Sequence, residues 1–290
     1  AKIALGRMLF YDPILSRDSS ISCESCHSPY SAFTHVDHAL SHGIDDKIGT
    51  RNAPAMFNLA WQPRFMWDGI AHTLRQQNQQ PIMNPIEMDG DMDLIIQKLK
   101  KSSFYPALFS AAFADGKVNE WNMLDALGEF QLTLISANSK YDRVKAKKDQ
   151  FTTMELKGYA LFQQHCNGCH AEPLFSTYGF ANNGLPMDPI IADRGRYIIT
   201  QNPEDSLVFK IPSLRNLKYS FPYMHDGRFK SLYQVMDHFA KGIVDSPTLD
   251  SRLQGGLPLS PEERTEIVAF LLTLSDEEFV FNRAFAAPRP

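Results

Sequence analysis

The chain has 290 residues and a mass of 32.9 kDa, enough for two domains of ordinary size, each with its own core. A hydrophobic fraction of 43% with 21% charged residues excludes a disordered or fibrous chain, and a net charge of −4 gives no footing for nucleic acid. The longest apolar runs, such as 267–272, fall far short of the roughly 20 residues that a membrane span requires.

In chain order, the helical phrase Gly6-Arg7-Met8-Leu9-Phe10 comes first, followed by Cys23-Glu24-Ser25-Cys26-His27. A long stretch rich in Pro, Gly and Asn leads to an amphipathic helix predicted over 119–137. There Leu124, Leu127, Phe130 and Leu134 recur at three- and four-residue spacing. The polar run 140–150 reads as a junction, with Thr152 or Thr153 capping the next helix. That helix carries Gly158-Tyr159-Ala160-Leu161-Phe162 and runs into Cys166-Asn167-Gly168-Cys169-His170. After a second loop-rich stretch, a helix is predicted over 261–274. Ser260 serves as its cap, Pro261 suits its first turn, and Glu263 completes a capping box. His27 precedes Asn119 by 92 residues and His170 precedes Ser260 by 90, so one plan is used twice. Period-two alternation is scarce. The expected fold class is mainly α: two domains, 1–150 and 151–290, with long loops of the kind a large cofactor organises. No secretory signal opens the sequence, which begins at Ala1 rather than Met, and a mature, processed form is expected.

All four cysteines fall in the two Cys-x-x-Cys-His motifs, so none is left for a disulfide framework. This motif is the attachment pattern of c-type haem: two thiols add to the porphyrin vinyl groups and the adjacent imidazole reaches the iron. A thioredoxin-like pair would need a strand-to-helix setting, whereas 162–165 is helical in pattern. A zinc site would join knuckles roughly 15–20 residues apart, but Cys23 and Cys166 are separated by 143. Two covalently bound haem c groups are therefore predicted, on Cys23, Cys26 and His27, and on Cys166, Cys169 and His170. Haem attachment and the handling of thiols in an oxidising compartment place the protein outside the cytoplasm, in a bacterial periplasm. An electron carrier and an enzyme remain open, because only the latter needs an iron that can open a coordination position.

Further phrases narrow the choice. His42-Gly43, Gly49-Thr50-Arg51-Asn52-Ala53-Pro54, Phe65-Met66-Trp67-Asp68-Gly69 and 81–88 (PIMNPIEM) occur in that order. Ile211-Pro212-Ser213-Leu214-Arg215-Asn216 and 221–227 (FPYMHDG) follow in the second half. Over about 5–274 the chain resembles the bacterial di-haem cytochrome c peroxidases and the related MauG-like enzymes. The resemblance implies two cytochrome c-like haem domains: an N-terminal peroxidatic haem held by His27 and a C-terminal electron-transfer haem held by His170. His42 matches the distal histidine that occupies the peroxidatic iron at rest in many members. MauG-like relatives lack it, and its plainer reading is a loop histidine. Gln77 and Glu87 match the distal pocket residues. A carboxylate there moves a proton between the two peroxide oxygens, and an amide orients the substrate. A one-residue slip would choose Gln76 instead of Gln77. Trp67 matches the tryptophan between the haems, with core packing as the plainer reading. Asn52, with the carbonyls of Ser220 and Pro222, matches a calcium site.

Two positions depart from the family pattern. The C-terminal haem is usually completed by Met or Tyr, but that position falls on Phe239, which has no lone pair. Either that haem lacks a sixth ligand, or Met236 or His238 substitutes after rearrangement; otherwise Met236 is core and His238 lies on an exposed helix face. Ile70 replaces the arginine that commonly follows Trp-Asp-Gly. The leading function is a peroxidase that reduces hydrogen peroxide to water with electrons from a small cytochrome c or cupredoxin. The alternative is a MauG-like enzyme that oxidises a tryptophan or other residue of a protein partner; Phe239 favours it and His42 disfavours it. A pure electron-transfer protein leaves Glu87 unexplained. Peroxidases of this kind often form homodimers.

Overall fold

The computed structural model describes residues 1–288. They divide into two compact units: Ala1–Phe65 with Ala71–Ile135 and the terminal segment from Phe279, and Ser136–Glu278 with Met66–Ile70. The expected change-over at 150/151 therefore lies earlier, and short excursions cross it. The polar run misleads because its polar groups are structural. Ser139 and Asp142 form a capping box, Lys140 pairs with Glu155, and Arg143 pairs with Asp149. Between them Tyr141 is buried in the second unit's core.

The first unit contains α1 (Lys2–Tyr11), α2 (Leu74–Met83), α3 (Met92–Lys101), α4 (Tyr105–Ala112) and α5 (Glu120–Leu132). Asn119 caps α5 as its spacing suggested, accepting from the backbone N–H of Asn122. The helix stops at Leu132 rather than 137, and the Leu134 carbonyl turns to accept from the Asn58 N–H. α1 crosses α5 at Gly6, where an added Cβ would stand 1.8 Å from the Ala126 carbonyl oxygen.

The second unit contains α6 (Lys140–Lys145), α7 (Thr153–His165), α8 (Tyr197–Thr200), α9 (Leu232–Asp237) and α10 (Pro261–Leu272). A last short helix, α11 (Glu277–Val280), spans the point where the chain passes back to the first unit. Thr152, not Thr153, caps α7, with Glu155 reciprocating. Ser260 and Glu263 form the expected box on α10. Here the crossing glycine is Gly158, whose added Cβ would lie 1.9 Å from the Glu266 carbonyl oxygen. The repeated Gly-x-x-Leu-Phe phrase thus has one physical job in both units: glycine lets two helix backbones touch, and the phenylalanine four residues on fills the core beneath. Two two-residue strands, Phe180–Ala181 and Phe209–Lys210, pair antiparallel with Phe180 opposite Lys210.

Candidate functional site

In the first unit, Cys23, Cys26, His27, His42, Gln77 and Glu87 line one cleft. Ser22 and Ser25 cap a single helical turn over Cys23–Ser25, which brings the His27 N–H onto the Cys23 carbonyl. The His27 ring meets the Phe33 carbonyl through Nδ1 at 2.7 Å. A carbonyl only accepts, so Nδ1 carries the proton and Nε2 keeps its lone pair. Burial pushes the imidazole down to about 4, keeping it neutral. It also pushes the Cys23 thiol up to about 12 and the Cys26 thiol up to about 11. Among the described residues no three His, Cys, Asp or Glu side chains converge as a metal cage.

The opposite side of the cleft is built by α2 and the turn after it. Pro81 lies inside α2 and has no N–H for the Gln77 carbonyl. Past the end of α2, Met88 and Gly90 donate back to the carbonyls of Pro81 and Ile82, folding 84–90 against the helix. This delivers Glu87. Burial raises its carboxyl above the ordinary range, against a 2.7 Å hydrogen bond from Asn84 Nδ2 to Oε1. The buried Oε1 of Gln77 has no hydrogen-bond partner among the described residues, whereas Gln76 Oε1 accepts from the His72 N–H at 2.9 Å. Gln77 therefore faces the cleft, whereas Gln76 turns back to the start of its own helix. An unpartnered buried acceptor is what a site awaiting a ligand leaves behind.

The loop carrying His42 lies directly on Glu87. Ile44 N–H donates to the Glu87 carbonyl at 2.7 Å, and an added Cβ on Gly43 would meet the Ile86 carbonyl at 2.2 Å. The His42 ring stacks on His38 at 4.1 Å, and His38 in turn lies 5.2 Å from His35. His35 and His38 were not singled out from sequence; with His42 they fall at three- and four-residue spacing, but in a loop, where that spacing marks no helix face.

In the second unit α7 ends at the second motif, with the Cys166 N–H on the Phe162 carbonyl and the His170 N–H on the Cys166 carbonyl. His170 Nδ1 has two carbonyls within reach, Phe175 at 3.2 Å and Pro212 at 3.1 Å. Burial again pushes the imidazole down to about 4 and the Cys166 thiol up to about 12, and it raises the Cys169 thiol. Trp67 packs with this unit. Its carbonyl accepts from Lys210 N–H at 2.7 Å and its ring meets His225 edge-on at 6.5 Å. Arg196 holds the neighbouring Asp68 carbonyl at 2.8 Å, and Ile70 is exposed. Phe239 sits in a π-helical turn, His238–Gly242, a form often found at functional positions. Met236 is core, as expected. His238 is not on an exposed face: it is buried, and its Nε2 donates to the Asn183 carbonyl at 3.0 Å. Met236 is thus packed among apolar side chains and His238 Nε2 is engaged by a carbonyl. Of the expected calcium ligands, Asn52 is buried in the first unit, where its Nδ2 donates to the Ala39 carbonyl, while Ser220 and Pro222 belong to the second.

A family model described as di-haem cytochrome c peroxidase matches residues 1–150. The chain is 36% identical to the methylamine utilization protein MauG of Methylorubrum extorquens, over 95% of this chain and 78% of that protein. It is 35% identical to the cytochrome c peroxidase Ccp of Escherichia coli, over 94% of this chain and 58% of that one. The crystal structure of a MauG-like protein associated with microbial copper homeostasis superposes with a TM-score of 0.87 at 30% identity, covering 99% of this chain and 93% of its own. The di-haem peroxidase BthA from Burkholderia thailandensis shares the fold, with a TM-score of 0.82 at 21% identity. With the doubled motif, the cleft and these likenesses together, the chain belongs to the di-haem cytochrome c peroxidase family.

Proposed function

We propose that this enzyme is a peroxidase that reduces hydrogen peroxide to two waters, taking two electrons from a small cytochrome c or cupredoxin and two protons from its surroundings. The observation that carries the reading is the meeting, in one cleft, of a neutral proximal-type imidazole (His27), a desolvated carboxyl (Glu87) and an unpartnered amide oxygen (Gln77). Membership of the family brings two haem c groups, which supply an iron for cleaving the O–O bond and a second iron for relaying electrons. Cys23, Cys26 and His27 would hold the first; Cys166, Cys169 and His170 would hold the second. Glu87 accepts the proton from one peroxide oxygen and returns it to the other. Burial fits it for the task, because desolvation raises the carboxyl and makes it a stronger base than a solvated carboxylate. Gln77 orients the substrate. His42 is the imidazole that would close the same cleft at rest, and Trp67 is the oxidisable ring through which charge passes between the haems. Asn52, Ser220 and Pro222 are proposed as ligands of one calcium ion. The working compartment is the periplasm; among the described residues no helix is long and apolar enough to cross a membrane.

The test is stopped-flow mixing of the pre-reduced two-haem protein with hydrogen peroxide and a reduced small cytochrome. Rapid oxidation of the cytochrome is expected, and its absence would remove the reading. The alternative, oxidation of a tryptophan or other residue on a protein partner, is favoured by one feature: Phe239 offers no donor where Met or Tyr is usual. A mass change in a co-expressed partner after peroxide treatment would select it.

A further inference from the structure

Each unit builds the same aromatic cage behind its motif histidine, and the two cages differ in where the last ring comes from. In the second unit Phe162, Phe175 and Phe270 are fully buried, and Tyr141 meets Phe175 edge-on at 4.7 Å. In the first, Phe10, Phe33 and Phe130 correspond, with Phe10 lying 5.8 Å from Phe33 and 5.4 Å from Phe130. The place of Tyr141 is taken by Phe279, from the far end of the chain, 6.0 Å from Phe33. Phe57 and Phe285 hold it there at 5.9 and 5.5 Å.

Phe33 and Phe175 share a second property. Both have positive φ, 60° and 55°, a conformation that a bulky residue keeps only when its surroundings impose it. That backbone is what aims each carbonyl at the motif imidazole. The two units then diverge. His170 Nδ1 has the Pro212 carbonyl as a second acceptor, whereas among the described residues His27 has Phe33 alone, at the shorter distance of 2.7 Å. A hydrogen bond to Nδ1–H makes Nε2 a stronger donor to a metal, and donor strength on the axial position lowers the potential of a haem iron.

We propose that Phe279 is a positioning residue for the first haem: by locking the Phe33 ring it holds the left-handed backbone that directs the Phe33 carbonyl to His27 Nδ1, and so sets the strength of the proximal ligand. Because the second unit has both its own ring and a second acceptor, the effect is confined to one of the two haems. The inference rests on the reading that His27 holds a haem.

The experiment compares F279A and F279L with the parent, each as the full-length two-haem protein, by resonance Raman spectroscopy of the reduced state and by potentiometric titration. F279A is expected to move the iron–imidazole stretch of the N-terminal haem to lower wavenumber and to raise that haem's midpoint potential. F279L, which refills part of the space, shifts both in the same direction by less, and the C-terminal haem stays put. An unchanged stretch and potential with full haem content overturns the proposal, and so does an equal shift of both haems, which would mean general loosening. If F279A does not accumulate with two haems, F279L decides by the same criteria. Failure of the underlying reading is distinguishable, since the parent protein itself would then show fewer than two covalent haems by pyridine haemochrome analysis.

Discussion

Glu87 gains its chemistry from its surroundings more than from its identity. A carboxylate on an open surface would be ionised and solvated; here burial raises it while Asn84 holds one oxygen in place. Glu87→Gln keeps the shape and the Asn84 contact but removes the exchangeable proton. Its rate of donor oxidation should fall by about 10²–10⁴-fold with haem content unchanged, which stopped-flow turnover and absorbance would check together. Gln77→Leu removes an unpartnered acceptor, so the folded protein should lose little stability; its cost should appear as weaker peroxide saturation in steady-state kinetics. Residue identities of this kind were readable from sequence only through resemblance. The motif spacing named Cys23, Cys26, His27 and their counterparts outright. In contrast, the choice between Gln76 and Gln77 depended on one turn of α2 and on the His72 N–H that claims Gln76. The burial of His238 depended on a carbonyl 55 residues away, at Asn183.

At the level of elements, the helices were legible because their signals are local. The caps at Asn119, Thr152 and Ser260 and the apolar spacing of α5 and α10 act over three or four residues. Their ends and partners were not, since Leu134 is stopped by a distant N–H at Asn58. The meaning of the repeated glycine also became plain only where α1 crosses α5 and α7 crosses α10. Gly158→Ala forces a methyl into the Glu266 carbonyl and should destabilise the protein by about 1–3 kcal/mol, the usual range for an overpacked core. Gly6→Ala should do the same against Ala126. Urea denaturation of both variants provides the measurement; a loss below about 0.5 kcal/mol, the ordinary surface value, would mean that the crossings relax freely. Gly43→Ala belongs to the same class, but its damage should fall on the relation of His42 to Glu87, and thus on activity before stability.

The molecule as a whole is two units that share one plan without being copies in sequence. Acid should test the second of them. Arg215 is buried and grips Asp142 through both carboxylate oxygens, at 2.8 and 2.7 Å, while donating also to the Pro173 carbonyl. Burial alone would raise the Asp142 carboxyl, but the Arg215 and Ser139 hydrogen bonds outweigh it and hold the group below 3.8. As pH falls, the unfolded chain therefore takes up this proton first. The stabilisation is complete above about pH 5 and drains away as pH drops through the folded value. Asp142→Asn should cost about 3 kcal/mol near neutrality, as for a broken buried pair, and less at pH 3, where the unfolded chain has already taken up the proton. Urea midpoints at the two pH values measure the difference, and an equal cost at both would contradict the assignment.

The return of the chain to its starting unit at Phe279 has a consequence for biosynthesis. Emerging residue by residue, the first unit threads out early yet lacks the ring that closes its cage until Phe279 has followed the whole of the second unit. Its tertiary structure is thus finished last, while the C-terminal half already has Tyr141 among its own early residues. Truncating the chain after residue 278 should accordingly cripple the first unit.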